Sequence, residues 1–92
     1  MAQVVTEVGA YKNLSASANV SVVSCKVIGF LCNTTSAGTV NLYDDISTGT
    51  SVPITGTITL TAGQFYPVPA QTINGLNVVI GGTANVTVFY SA

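Results

Sequence analysis

Leu76-Asn77-Val78-Val79-Ile80-Gly81-Gly82-Thr83-Ala84-Asn85-Val86-Thr87-Val88-Phe89-Tyr90 is built on a period of two. Ala84, Val86 and Val88 share one parity, while Asn85, Thr87 and Phe89 share the other. Successive side chains of a strand point to opposite faces, so this alternation predicts β-structure with one buried face. Gly81-Gly82 accepts positive φ without steric cost and reads as a tight turn. The stretch is therefore expected to form a β-hairpin.

The same period extends in both directions. Upstream, Asn74-Gly75 is a strong turn signal, and Gln64 to Val68 forms a short strand ended by Pro67 and Pro69. Ile54 to Leu60 alternates Ile54, Ile58 and Leu60 against Thr55, Thr57 and Thr59. Gly56 takes an apolar-face position there and marks close approach by another backbone or a large residue. Pro53 confines its neighbourhood to a sheet edge or a strand start. Thr39 to Tyr43 is a strand, and Thr34-Thr35-Ser36-Ala37-Gly38 before it reads as a turn. Asn19 to Cys25 runs into Lys26 to Asn33, where both parities are apolar: Cys25, Val27 and Leu31 on one, Ile28, Phe30 and Cys32 on the other. That predicts a central strand covered on both sides, or one that faces a subunit contact. Tyr11 to Leu14 is short, and Gln3 to Val8 is a strand set apart by Gly9, so residues 1–9 are read as an N-terminal arm.

No window carries the apolar spacing of an amphipathic helix. The expectation is a single all-β domain over residues 1–92: a small antiparallel β-sandwich or jelly-roll-like barrel of seven to eight short strands.

Charge narrows the function. Of 92 residues only 5% are charged, against roughly 25% in ordinary globular domains. They are Glu7, Lys12, Lys26, Asp44 and Asp45, with no Arg and no His. Two lysines cannot build a phosphate-tracking patch, so no nucleic-acid partner is expected. Binding to an anionic membrane fails for the same reason, and no apolar run approaches the ~20 residues of a helical span. The N-terminal residues lack a basic segment followed by an apolar one, which points to synthesis in a cytoplasm. A neutral exterior gives little colloidal repulsion and suits a chain covered by neighbours.

The chain offers little for chemistry. Without His, with only two lysines to serve as a base and with no motif around either Cys25 or Cys32, a catalytic centre is not expected. The two cysteines, about 23 Å apart if the chain between them is extended, read as free buried thiols. Asp44-Asp45 reads as a turn rather than a calcium site, and no cofactor or metal is expected. Four Asn-x-Ser/Thr triplets, at Asn13, Asn19, Asn33 and Asn85, are what chance gives in so Asn- and Thr-rich a chain. Phe30, Phe65 and Phe89 are expected in the core or at subunit contacts. Tyr66 and Tyr90 are the candidate interface aromatics, joined by Val4 and Val5 of the N-terminal arm.

Gly63-Gln64-Phe65-Tyr66-Pro67, Asn74-Gly75-Leu76-Asn77-Val78 and the stretch Gly81 to Tyr90 together resemble small all-β virion structural proteins of tailed bacteriophages, of the head decoration or cement type. The similarity covers about Asn41 to Tyr90. It implies a virion component, made in the host cytoplasm, that binds the outside of the phage head and bridges capsid subunits. The partner would be the major capsid protein, and the chain itself a homo-oligomer, clustered in threes around capsid symmetry points. Strand addition through the N-terminal segment or a sheet edge would contribute. A tail, neck or fibre component is the alternative within the virion. A carbohydrate-binding or adhesin module is the alternative of another class; it requires an exposed aromatic platform or a calcium site, and the lack of Trp counts against it.

Overall fold

The computed structural model describes residues 9–91, so Val4 and Val5 lie outside the described residues. The chain is all-β. Its strands are β1 (Ala10–Leu14), β2 (Ala18–Ser21), β3 (Lys26–Tyr43), β4 (Ile58–Thr59), β5 (Phe65–Gln71) and β6 (Leu76–Ser91). All pairings are antiparallel.

Two strands dominate. β3 has 18 residues and β6 has 16, and they pair along almost their whole lengths. A straight 18-residue strand would span roughly 59 Å at ~3.3 Å per residue, yet the longest dimension of the molecule is 30 Å. The β3–β6 ribbon therefore bends back on itself near its middle. Below the bend, Lys26 to Ser36 and Thr83 to Ser91 sit between β5 and β1; above it, Thr39 to Tyr43 and Leu76 to Gly81 sit between β4 and β2. The result is a pair of four-stranded layers that share two strands, a small sandwich with one core. Six strands stand among the described residues where seven to eight short ones are expected: Lys26–Asn33 is fused with Thr39–Tyr43 and Leu76–Ile80 with Ala84–Tyr90, the expected run from Asn19 to Asn33 is broken at residues 22–25, and the expected strand Gln3–Val8 lies outside the described residues.

The bend lies where the sequence predicts two turns, at Thr34 to Gly38 and at Gly81-Gly82. Neither is a turn. The ladder skips two residues of β3 between Ser36 and Thr39, so Ala37 and Gly38 bulge out opposite Gly82. Ala37 (φ 53°) and Gly82 (φ 66°) are both left-handed. A Cβ on Gly82 would strike the Ala37 carbonyl oxygen. Turn-type residues here permit a sharp bend, but the hydrogen bonds continue across strands rather than closing hairpins.

A second bulge explains the doubly apolar stretch. The register shifts between Val27 and Gly29, which moves the inward parity from Val27 to Phe30 and Cys32. Val27, Phe30 and Cys32 are buried, while Ile28 and Leu31 face outward and are half-buried. Two apolar parities thus mark a parity switch, not burial on both faces.

The inward side chains of both layers form one core: Leu14, Val20, Val27, Phe30, Cys32, Val40, Leu42, Leu76, Val78, Val86 and Val88 among them. The Tyr66 ring stacks on Phe30 at 5.0 Å. Cys25 and Cys32 are both free and buried, and burial pushes the Cys32 thiol above its ordinary pKa. Thr72 fixes the start of β3 by accepting from the Cys25 N–H at 2.9 Å.

The expected strand from Ile54 to Leu60 is reduced to β4, two residues long. Asp44 N–H donates to the Val52 carbonyl, and the Ile54 and Thr55 N–H groups both donate to that of Leu42, so this segment wraps the end of β3 rather than extending a ladder. Gly56 faces open space, contrary to the close approach expected of it.

Candidate functional site

Because β3 and β6 double back, the two ends of the sandwich differ. One is the bend. At the other, the connections β2–β3 (residues 22–25), β3–β4 (44–57) and β5–β6 (72–75) come together, as does Gly9 beside the end of β6.

Asp44 organises this loop end. Its side chain is buried, and its carboxylate accepts three backbone N–H groups of the β5–β6 connection: Ile73 at 2.8 Å, Asn74 at 2.8 Å and Gly75 at 3.2 Å. Burial alone would raise its pKa; the three N–H donors more than offset that and hold it below the ordinary carboxylate range. Asp45 closes its own turn, accepting from Ser47 N–H at 2.7 Å and Gly49 N–H at 3.2 Å. Both carboxylates are thus aimed at donors: Asp45 plays the turn role its sequence position suggests, whereas Asp44 reaches a connection 29 to 31 residues further along the chain, and neither stands in a cation's ligand shell. No cluster of three metal-ligating side chains occurs among the described residues.

Further bonds tie the loops to the sheet. Asn19 Nδ2 donates to the carbonyls of Asp45 at 3.1 Å and Ser47 at 2.7 Å, and Asn77 Nδ2 to that of Gly49 at 3.0 Å. Gly75 is packed so tightly that a Cβ there would meet the carbonyl oxygens of Ser21 and Asp45 and the Cα of Ile46. Ser21 Oγ donates to the Val23 carbonyl and accepts the Val23 N–H, ending β2 in a local turn.

This fixed loop set displays apolar side chains. Among the described residues, the large hydrophobic side chains most exposed to solvent are Tyr11, Val22, Val23, Ile46, Val52 and Ile73. All but Tyr11 belong to the loop end, and Ile73 is 82% exposed. Single exposed apolar residues are ordinary, whereas several on adjoining loops with a rigid base mark an interaction surface.

The sheet edges are less suited to docking. β4 is too short to template a partner, β5 carries Pro67 and Pro69, and β2 is bulged between Asn19 and Ser21. On β1, Lys12 lies opposite Val88 and on the parity of buried Leu14, an exposed charge at an edge whose Nζ donates to the Asn19 carbonyl at 3.3 Å. Each is a recognised device against edge-to-edge pairing.

The sequence-predicted interface tyrosines sit elsewhere. Tyr66 is half-buried on Phe30, its hydroxyl accepting the Thr61 N–H at 2.7 Å. Tyr90 is half-buried against the core, opposite Val27 and Ala10. The loop-end hydrophobes were not legible as a group. Val22 and Val23 look like strand residues, and Ile46, Val52 and Ile73 are isolated among turn formers. The one signal was negative: an apolar residue inside a turn cluster has no place on an alternating face.

Fold and site together define a small all-β protein with a rigid apolar loop end and neutral faces. The chain matches no protein-family model, no curated protein and no solved structure.

Proposed function

We propose that this chain is a viral structural protein of the capsid decoration or cement type, seated on the outside of a tailed-phage head through its loop end. The observation that carries this reading is the cluster of Val22, Val23, Ile46, Val52 and Ile73 on loops held by the Asp44 clamp. A clamped base means that little loop ordering remains to oppose binding. The near absence of ionic groups means that few charges need desolvating on contact.

Magnitudes favour several copies over one. Fully burying a Val or Ile side chain is worth about 1.5–3 kcal/mol, and these five are already partly covered. Their combined gain is on the order of 5 kcal/mol, comparable with the lost freedom of association. One copy would hold its partner, the major capsid protein, weakly. A ring of copies, with three as the smallest arrangement around a capsid symmetry point, raises affinity through effective concentration.

The test is mass spectrometry of purified particles with copy-number determination, followed by re-binding of purified protein to undecorated heads. Ile73→Ser combined with Val22→Ser should abolish re-binding and leave the thermal midpoint unchanged. Absence from particles, or re-binding indifferent to both substitutions, would refute the proposal.

A further inference from the structure

The outward face of the lower layer is unlike the rest of the surface. Across the strands, Tyr11 on β1 lies opposite Phe89 on β6, Phe89 opposite Gly29 on β3, and Gly29 opposite Pro67 on β5. In the next row Asn13 lies opposite Thr87, Thr87 opposite Leu31, and Leu31 opposite Phe65. Gly29 leaves a gap, and the Phe65 ring fills it: a Cβ on Gly29 would meet Phe65 Cζ at 2.8 Å. Phe65 thereby reaches across β3 to Phe89, with ring centroids 6.2 Å apart and planes tilted by 55°. Tyr11, 72% exposed, extends this aromatic stripe to the sheet edge.

Beside the stripe lies a carboxamide ladder. Asn13 Nδ2 donates to Asn85 Oδ1 at 2.8 Å and to Thr87 Oγ1 at 3.1 Å; Asn33 Nδ2 donates to the same two atoms at 2.9 and 3.0 Å. Asn85 Nδ2 returns a bond to Asn13 Oδ1 at 3.2 Å. The network fixes the amides in one orientation, and Asn13 and Asn33 are solvent-exposed. Each amide nitrogen carries two hydrogens and each amide oxygen two lone pairs. These bonds, with a further one from Asn13 Nδ2 to the Val86 carbonyl at 3.3 Å, occupy both hydrogens of Asn13 Nδ2 and of Asn33 Nδ2; what is left for a ligand beside the aromatic rings is the Asn33 Oδ1, one lone pair of Asn13 Oδ1, one hydrogen of Asn85 Nδ2 and the Thr87 hydroxyl hydrogen.

We propose that this face binds a neutral oligosaccharide. A sugar ring has an apolar C–H face and a rim of hydroxyls that both donate and accept. The rings of Tyr11, Phe89 and Phe65 match the former, and Asn13, Asn33 and Thr87 match the latter. The uncharged polar groups select a neutral glycan over a sulfated or uronic one. Three inter-strand spacings of ~4.8 Å make the stripe about 14 Å wide, enough for a short oligosaccharide. The glycan face is separate from the loop end, so a head-bound copy could present it outward.

The experiment is a glycan array probed with the full chain, followed by affinity electrophoresis in gels containing dextran, hydroxyethyl cellulose or galactomannan. At least one neutral glycan should be retained. Tyr11→Ala and Asn33→Ala, both at exposed positions, should each weaken retention about five- to tenfold, the effect of one lost hydrogen bond or ring contact. The thermal midpoint of Tyr11→Ala should not move, that of Asn33→Ala should fall only by the cost of its two exposed side-chain hydrogen bonds, and Ile73→Ser should leave retention intact. No retention of any neutral glycan, or retention untouched by both substitutions, would overturn the proposal. Loss of head re-binding in Tyr11→Ala, without glycan retention in the parent, would assign the face to a protein and overturn it equally.

Discussion

Removing the Asp44 carboxylate should unfasten the loop end and cost a large part of the total stability. In Asp44→Ala three backbone N–H groups lose their acceptor. Hydrogen bonds to a charged group contribute about 1.5–3 kcal/mol each. Ile73 and Asn74 are exposed, so water replaces the carboxylate there at modest cost. Gly75 is buried, and its N–H would be left without a partner, at about 1–3 kcal/mol. The sum is about 3–5 kcal/mol, against the roughly 5–14 kcal/mol expected for a domain of this size. Urea denaturation followed by circular dichroism measures the change, and the thermal midpoint should fall by roughly 12 °C or more. The same carboxylate predicts an acid limb. Its folded pKa is depressed, so its contribution is complete above the unfolded value of about 3.9 and is lost as pH falls through the folded value. Parent stability should thus hold from pH 7 to 5 and decline below about pH 4. Asp44→Asn should start lower and lack that part of the decline. A loss under about 1 kcal/mol in Asp44→Ala, or identical acid limbs in parent and Asp44→Asn, would refute the clamp.

Three further outcomes are expected. Phe30→Ala should lose about 3–5 kcal/mol in urea denaturation, because a fully buried ring stacked on Tyr66 leaves a cavity; a cost below about 1.5 kcal/mol would contradict the packing described. At the bend, Ala37→Gly should gain about 1 kcal/mol by relieving a left-handed alanine, and Gly82→Val should lose at least about 2 kcal/mol by driving a branched side chain onto the Ala37 carbonyl. Thermal melts of both variants decide this, and equal midpoints would argue against a bulged bend. Cys25 and Cys32 should resist a thiol reagent at pH 8 in the folded chain and react fully in denaturant; rapid labelling of the folded protein would place a thiol outside the core.

The period of two was enough to establish β-structure, and it assigned most of the core correctly. Val86 and Val88 lie on the face their parity predicts, as do Val40 and Leu42. Free buried thiols and the turn role of Asp45 were also legible, since both follow from local chemistry, whereas the reach of Asp44 to the β5–β6 connection was not. Connectivity was not. Glycine and alanine at a left-handed backbone position look the same in sequence whether the chain reverses or a long strand bulges. The difference lies in which distant residue accepts the hydrogen bond, as Ser36 facing Thr83 and Thr39 facing Gly81 show.

What the linear chain determined by itself was alternation, neutrality and the scarcity of reactive groups, because these depend on residue type and spacing alone. Tertiary structure decided what shares a surface. Val22, Ile46 and Ile73 are far apart in sequence, and only the doubling back of β3 and β6 carries their loops to one end. Tyr11, Phe65 and Phe89 became neighbours only because cross-strand register set β1, β6, β3 and β5 side by side and Gly29 left room for a ring between them.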